Sequence, residues 1–240
     1  MQNNKTILVV IHGRSIEELE TRIDEFKNVK CTWASMSTFD IPQKYILDRI
    51  DKKFNVVFDS STVKNEREYE LEVRIPRLIK YLSENKENKY ICTKTDKNNL
   101  FNLRSRLVLG FNENFKDQII YTEDLGIDPN PFCVSLHLYI ACLVKMGFSR
   151  IILFGADGGG KWGNSIESYY KWEEIKKDKE IAGNLSYNMV GDSNNINSSF
   201  EPLMKQSLGF VPEIINCSPG SVYSAFKNIS YSEVLNYIGG

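Results

Sequence analysis

The stretch Thr6-Ile7-Leu8-Val9-Val10-Ile11-His12-Gly13-Arg14-Ser15-Ile16-Glu17-Glu18-Leu19 decides the fold. Thr6 to Ile11 is short, apolar and rich in β-branched residues, the pattern of a strand buried on both faces. His12-Gly13-Arg14-Ser15 breaks that run. Ser15 followed by Glu18 matches a capping box and predicts that a helix opens there. Leu19, Ile23 and Phe26 then form the inner stripe of that helix. The first thirty residues therefore read strand, turn, helix.

Outward from this unit the alternation continues. Strands are predicted at Lys30 to Ala34, Phe54 to Phe58, Lys89 to Thr93, Gln118 to Tyr121, Arg150 to Phe154 and, as the last one, Glu213 to Cys217. Helices are predicted at Glu66 to Ser83, with an interruption near Pro76, and at Val134 to Met146, ended by Gly147 as a C′ residue. Val222 to Phe226 is predicted to begin a short helical ending. Gly191 to Ser199 has no apolar periodicity and is expected to be loop. Strands alternating with helices predict an α/β fold: a doubly wound, Rossmann-like, mostly parallel sheet. Residues 1–160 and 201–240 would form the main domain. The aromatic and polar stretch 161–200 would form a small lid subdomain.

Composition sets bounds. The 240 residues, 42% hydrophobic, suffice for one domain with a real core or one domain plus a small subdomain. Thirty basic against thirty-one acidic side chains leave a net charge of -1, which excludes an electrostatic grip on nucleic acid as the main activity. Five scattered cysteines with no CxxC pair signal neither a zinc site nor a disulfide framework. The run Ile7 to Ile11 is too short to span a bilayer, so no integral membrane segment is predicted. A cytoplasmic location follows, with contact at a membrane surface left open through a partner.

In such sheets ligands lie beyond the carboxyl ends of the strands. The candidates are His12 to Ser15, Ser35, Asp59 to Ser61, Ser135 and Asp157 to Gly160. Gly13 permits close backbone approach, and the helix start behind it offers free N–H groups to a phosphate. Arg14 adds a charge for that phosphate; the alternative is an ordinary turn with a capping serine. Asp59-Ser60-Ser61 suits a sugar hydroxyl, a phosphate or a metal, or simply a helix N-cap. Three glycines after Asp157 are costly in backbone entropy and point to a ligand or a neighbouring chain that comes very close. Tyr169 and Tyr170 can donate to phosphate oxygens or merely pack the lid. His137 lies within an apolar helix and reads as a core histidine. No hydrolytic triad or metal-ligand spacing stands out.

Together these motifs resemble the bacterial CMP-sialic-acid sialyltransferases of glycosyltransferase family 42. They also resemble the broader DUF115 group, which includes flagellin-modifying proteins and archaeal pterin pyrophosphokinases. The likeness runs from Ile7 to Phe226 and is most specific over Val134 to Asp157, which contains Met-Gly-Phe-Ser-Arg-Ile-Ile-Leu-Phe-Gly-Ala-Asp. It implies nucleotide contacts at His12, Gly13, Ser15, Ser35, Ser60, Ser135, Asp157, Ser218, Gly220 and Ser221. His12 stands where that family has an asparagine. Asp192, in Gly191-Asp192-Ser193-Asn194-Asn195, stands where it has a histidine base.

The resemblance implies transfer of a nonulosonic-acid-type sugar from a CMP-activated donor to a glycan hydroxyl. Asp192 would be the general base, Tyr169 and Tyr170 would hold the departing phosphate, and no metal or other cofactor would be needed. It further implies self-association and a cytoplasmic enzyme that meets the inner membrane through its acceptor. Two alternatives stay open. One is a pyrophosphokinase with Mg²⁺ on Asp59, Asp157 and Asp192 beneath ATP. The other is a nucleotide-binding module without catalysis.

Overall fold

A computed structural model describes residues 5–11, 13–36, 39–58, 75–93, 113–132, 135–158, 173 and 190–239, with backbone alone for residues 75, 190–196 and 239. Eight strands form one sheet: β1 (Thr6–Val10), β2 (Thr32–Met36), β3 (Val56–Phe58), β4 (Lys89–Cys92), β5 (Ile119–Tyr121), β6 (Arg150–Phe154), β7 (Ile214–Asn216) and β8 (Lys227–Asn228). Their order is β5-β4-β3-β2-β1-β6-β7-β8, and every neighbouring pair is parallel. Among the described residues the helices include α1 (Ile16–Arg22), α2 (Asp40–Tyr45), α3 (Ile75–Glu84), α4 (Ser135–Lys145), α5 (Val190–Leu208) and α6 (Tyr231–Gly239). The expected α/β, Rossmann-like sheet is present.

Strand β1 shows why both faces must be covered. Its residues alternate: Leu8 and Val10 join one core, Ile7 and Val9 the other. The first core takes its cover from Ile16 and Leu19 of α1, Ile41 of α2, Leu78 and Leu82 of α3, and Tyr231 and Val234 of α6. The second is covered by α4 and by Phe200, Leu203 and Met204 of α5. The chain therefore winds along one face from β1 to β4. It crosses to the other face when it returns from β5 to place β6 beside β1.

Beneath this crossing the first core is aromatic. Phe154 meets Phe26 edge-on at 5.7 Å, stacks on Trp33 at 6.4 Å and touches Tyr231 at 5.5 Å. Such contacts add about 0.5–1.5 kcal/mol per pair to the burial of the rings.

Several boundaries differ from the sequence reading, each for a physical reason. Gly191 to Ser199 is not loop but the first half of α5. Its polar residues are poor helix formers, but Phe200, Leu203 and Met204 anchor the second half in the core. Asn197 sends its amide outward instead of competing for its own backbone: Nδ2 donates to the Val222 carbonyl at 2.9 Å, and Oδ1 accepts from the Ala225 N–H at 3.1 Å. Helix α5 also runs through residue 200, where the lid was expected to end. Pro76 lies in the first turn of α3, where a missing N–H costs nothing; residues 66–74 of the predicted helical stretch lie outside the described residues. Val222 to Phe226 is turn, and the terminal helix starts at Tyr231. β7 is not the last strand, because the two-residue, exposed β8 pairs with it. Gly147 ends α4 as expected: at φ 92° its N–H bonds the Val144 carbonyl, and the Phe148 N–H bonds that of Leu143. Among the described residues no helix is long and apolar enough to cross a membrane.

His137 is a core residue, as expected. It is fully buried, 5.2 Å from the Phe200 ring, and neither ring nitrogen has a hydrogen-bond partner. Burial lowers its pKa from 6.5 to about 4. The unfolded chain takes up this proton near 6.5 and the folded chain does not, so the stabilising term is complete above that pH. It is lost as pH falls from 6.5 towards 4. His137→Leu removes the term. Denaturant unfolding should show wild type losing about 2 kcal/mol more than the variant between pH 7 and pH 5. Parallel stability curves for the two proteins would refute this assignment.

Candidate functional site

The loops after β1 and β6 leave neighbouring strands toward opposite faces, which opens a crevice at the carboxyl edge of the sheet. The two loops are laced together across it. Ile11 donates its N–H to the Phe154 carbonyl at 2.8 Å, and Gly13 donates to the Gly155 carbonyl at 2.9 Å. Ser15 then closes on Asp157 twice: its N–H donates to Oδ2 at 2.8 Å and its hydroxyl donates to Oδ1.

This lacing explains the glycines. A Cβ on Gly13 would lie 2.2 Å from the Gly155 carbonyl oxygen and 2.8 Å from the Asp157 carboxyl carbon. A Cβ on Gly155, whose φ is 77°, would lie 2.1 Å from the Ile11 carbonyl oxygen. Of the three glycines after Asp157, Gly158 has its close neighbour in protein side chains, since a Cβ there would lie 2.4 Å from the Tyr223 ring and 2.7 Å from Val222, while Gly159 and Gly160 lie outside the described residues.

Ser15 corrects the capping-box expectation. It occupies the N-cap position of α1 but makes no side-chain cap bond. Its hydroxyl is taken by Asp157 instead. Asp157 is 1% exposed, so its carboxylate faces Ser15 and not solvent. Arg14, just before α1, pairs with Glu17 in its first turn.

The loop after β7 joins the same edge. The Ser218 hydroxyl accepts the Ala156 N–H at 2.7 Å, and the Ser221 hydroxyl donates to the Ala156 carbonyl at 2.7 Å. Val222 donates its N–H to the Asp157 carbonyl at 3.1 Å. Asn216, fully buried at the end of β7, holds this arrangement. Its Nδ2 donates to the Ala156 carbonyl at 3.1 Å and to the Ser221 hydroxyl at 3.0 Å, while Oδ1 accepts the Ser218 N–H at 3.1 Å. Gly220 turns the loop at φ 71°.

Gly13, Ser15, Asp157, Ser218 and Ser221 are thus brought together from three loops. Ser35 lies inside β2, fully buried, with its hydroxyl 3.4 Å from the Val10 carbonyl of β1. Ser135 opens α4, half-buried. A helix that links parallel strands starts at their carboxyl edge, so α1, α4 and α5 all begin on the crevice side. At α1 the first N–H groups are already taken: Ser15 donates to Asp157, Ile16 to the Gly13 carbonyl, Glu17 to that of Arg14 and Glu18 to that of Ser15. Asp192 belongs to the first half of α5, five residues before Asn197, with its side chain outside the described residues. His12, Asp59, Ser60, Tyr169 and Tyr170 also lie outside them.

Asn216 and Asn197 are the residues that sequence reasoning missed. The signal for the first was a lone amide closing the apolar run Ile214-Ile215. Below the crevice, burial pushes the Cys217 thiol up to about 12, with Glu18 and Glu233 adding to the effect. It stays protonated at neutral pH and is no nucleophile. Among the described residues no three His, Cys, Asp or Glu side chains group as a metal site.

No family model, no curated protein and no solved structure matches this chain.

Gly13→Ala should destabilise the protein by about 2 kcal/mol or more, because the new methyl meets backbone that cannot yield. Asp157→Ala, which strands the Ser15 N–H and hydroxyl, should cost a similar amount, about 1–3 kcal/mol. Urea unfolding of both variants checks this; wild-type midpoints in both would contradict the geometry.

Proposed function

We propose that this chain is a glycosyltransferase that moves a nonulosonic-acid-type sugar from a CMP-activated donor to a glycan hydroxyl without a metal. One observation carries the reading. The three short motifs of the sialyltransferase-like pattern, the Gly13-to-Ser15 turn, the Ala156-Asp157 end of the main strand block and the Ser218-to-Ser221 loop, are hydrogen-bonded to one another at the switch point of the sheet. A crevice at such a point is where α/β folds hold nucleotides.

In this proposal the nucleotide phosphate lies against the amino end of α4, since the Asp157 carboxylate already occupies that of α1. Backbone N–H groups and the helix dipole meet its charge there. Gly13 lets the loop after β1 close on Gly155 and Asp157. Asp157 is a positioning residue: it fixes the Ser15 N–H and hydroxyl and hence the entry to α1. The acceptor hydroxyl oxygen attacks the anomeric carbon of the donor sugar as the bond from that carbon to the phosphate oxygen breaks. The hydroxyl proton passes to Asp192, and CMP leaves with its phosphate held by Tyr169 and Tyr170. Hydrogen bonds to the departing charge commonly contribute a few kcal/mol to the rate. Of the three aspartates needed for a magnesium site, Asp157 already receives both Ser15 donors, which favours the metal-free reading.

Thermal unfolding with CMP, CDP, ATP and AMP, each with Mg²⁺ and with EDTA, tests the reading. CMP in EDTA at one hundred times its dissociation constant should stabilise the protein by about 2.7 kcal/mol. Slow release of CMP from a CMP-activated sugar should vanish in Asp192→Ala while CMP binding survives. Stabilisation by ATP with Mg²⁺ alone, or full activity of that variant, would overturn it.

A further inference from the structure

We propose a second ligand site at the opposite edge of the sheet, a cavity that binds a phosphate ester with an apolar body. The cavity, about 810 Å³, opens at the amino ends of β1, β2 and β6, beside α6. That volume falls within the range of small-molecule sites.

Beside Thr6, Asn28, Cys31 and Thr32, the lining holds two groups of residues. Val29, Phe148, Leu235 and Ile238 supply an apolar wall. Lys5, Lys30 and Arg150 supply three cations, and no lining residue is acidic. Elsewhere the described arginines are paired with carboxylates. Arg14 pairs with Glu17, Arg22 with Glu25, Arg49 with Asp24 and Arg77 with Asp40. Among the described arginines, Arg150 is the one without a carboxylate partner. In a protein of net charge -1, a partly apolar hollow rimmed by three uncompensated cations is a local departure that an anion would satisfy.

Arg150 is also held in place. Its Nη1 donates to the Tyr237 carbonyl at 2.9 Å, near the end of α6, and its guanidinium stacks 4.3 Å from the Tyr237 ring centroid. That bond uses one of five donors, so a rigid fork remains for phosphate oxygens. Lys5 stays beside it, because the Lys5 carbonyl accepts the N–H groups of Ser149 and Arg150. The field of Arg150 reaches the cavity: burial raises the thiol pKa of Cys31, and Arg150 pulls it back. A concave, partly apolar hollow suits the hydrocarbon part of one small molecule better than a flat bilayer surface.

Calorimetry on the full chain at low ionic strength tests this, with n-octyl phosphate below its micelle concentration as ligand. Saturable 1:1 binding is expected, with inorganic phosphate as a weaker competitor. Arg150→Gln should weaken binding about tenfold or more. The double variant Lys5→Gln/Lys30→Gln, at two exposed positions, should weaken it about tenfold and keeps the test decisive if Arg150→Gln does not fold. Lack of saturable binding, or equal affinity in wild type and the double variant, would overturn the site. Sedimentation with phosphatidic acid vesicles but no binding of soluble octyl phosphate would overturn it in favour of a lipid surface. Affinity for CMP should be unchanged in the double variant, so failure here is distinct from failure of the transferase reading.

Discussion

A carboxylate closed on a serine at the heart of the molecule is the constraint from which the site follows. Asp157 is 1% exposed and accepts both the N–H and the hydroxyl of Ser15, 142 residues away in sequence. A buried acceptor of this kind is tolerated only when its donors are present, so β1 and β6 cannot separate their carboxyl ends without stranding it. Gly13 and Gly155 are small because that closure brings backbone against backbone. Ser218, Ser221 and Asn216 extend the same lacing to the strand beyond.

The aromatic group under the crevice gives this lacing a firm base. Phe154 is the last residue of β6, and its ring is clasped by Phe26, Trp33 and Tyr231. The residues just after it therefore leave a rigid platform. That is the circumstance in which loop residues hold a fixed geometry, because their position derives from strands that do not move.

Much of the fold was legible because its strands are simple. β1 and β6 read as buried apolar runs, and α4 ended where Gly147 said it would. The amino half of α5 was illegible for an equally physical reason. Gly191 to Ser199 lacks apolar spacing, and it is helical because Phe200, Leu203 and Met204 bury and Asn197 finds partners in the 222–225 loop. Local composition cannot report contacts made by the following turn and by a distant loop. In the site, the turn residues and Asp157 were recognisable as belonging together. That Ser15 would serve Asp157 rather than its own helix was not, since a capping box and a tertiary hydroxyl bond share the same residue types. Asn216 stayed hidden because a single amide at a strand end has many structural uses.

The two ends of the sheet carry different chemistry. In the two proposed sites, anion affinity at the carboxyl edge rests on neutral donors: backbone N–H groups, hydroxyls and the amino end of α4. At the amino edge it rests on formal charge, with Arg150, Lys5 and Lys30 around an apolar hollow. Sites built in these two ways respond differently to salt, because screening acts on the exposed cations far more than on buried dipoles.

Amide hydrogen exchange at Gly13 and Ser15 tests the central claim most directly. Both N–H groups donate across the crevice, so both should exchange slowly in the native protein, and Asp157→Asn should accelerate Ser15 far more than the amides of β1. Exchange of Ser15 at the rate of an unstructured peptide in the wild-type protein would contradict the account.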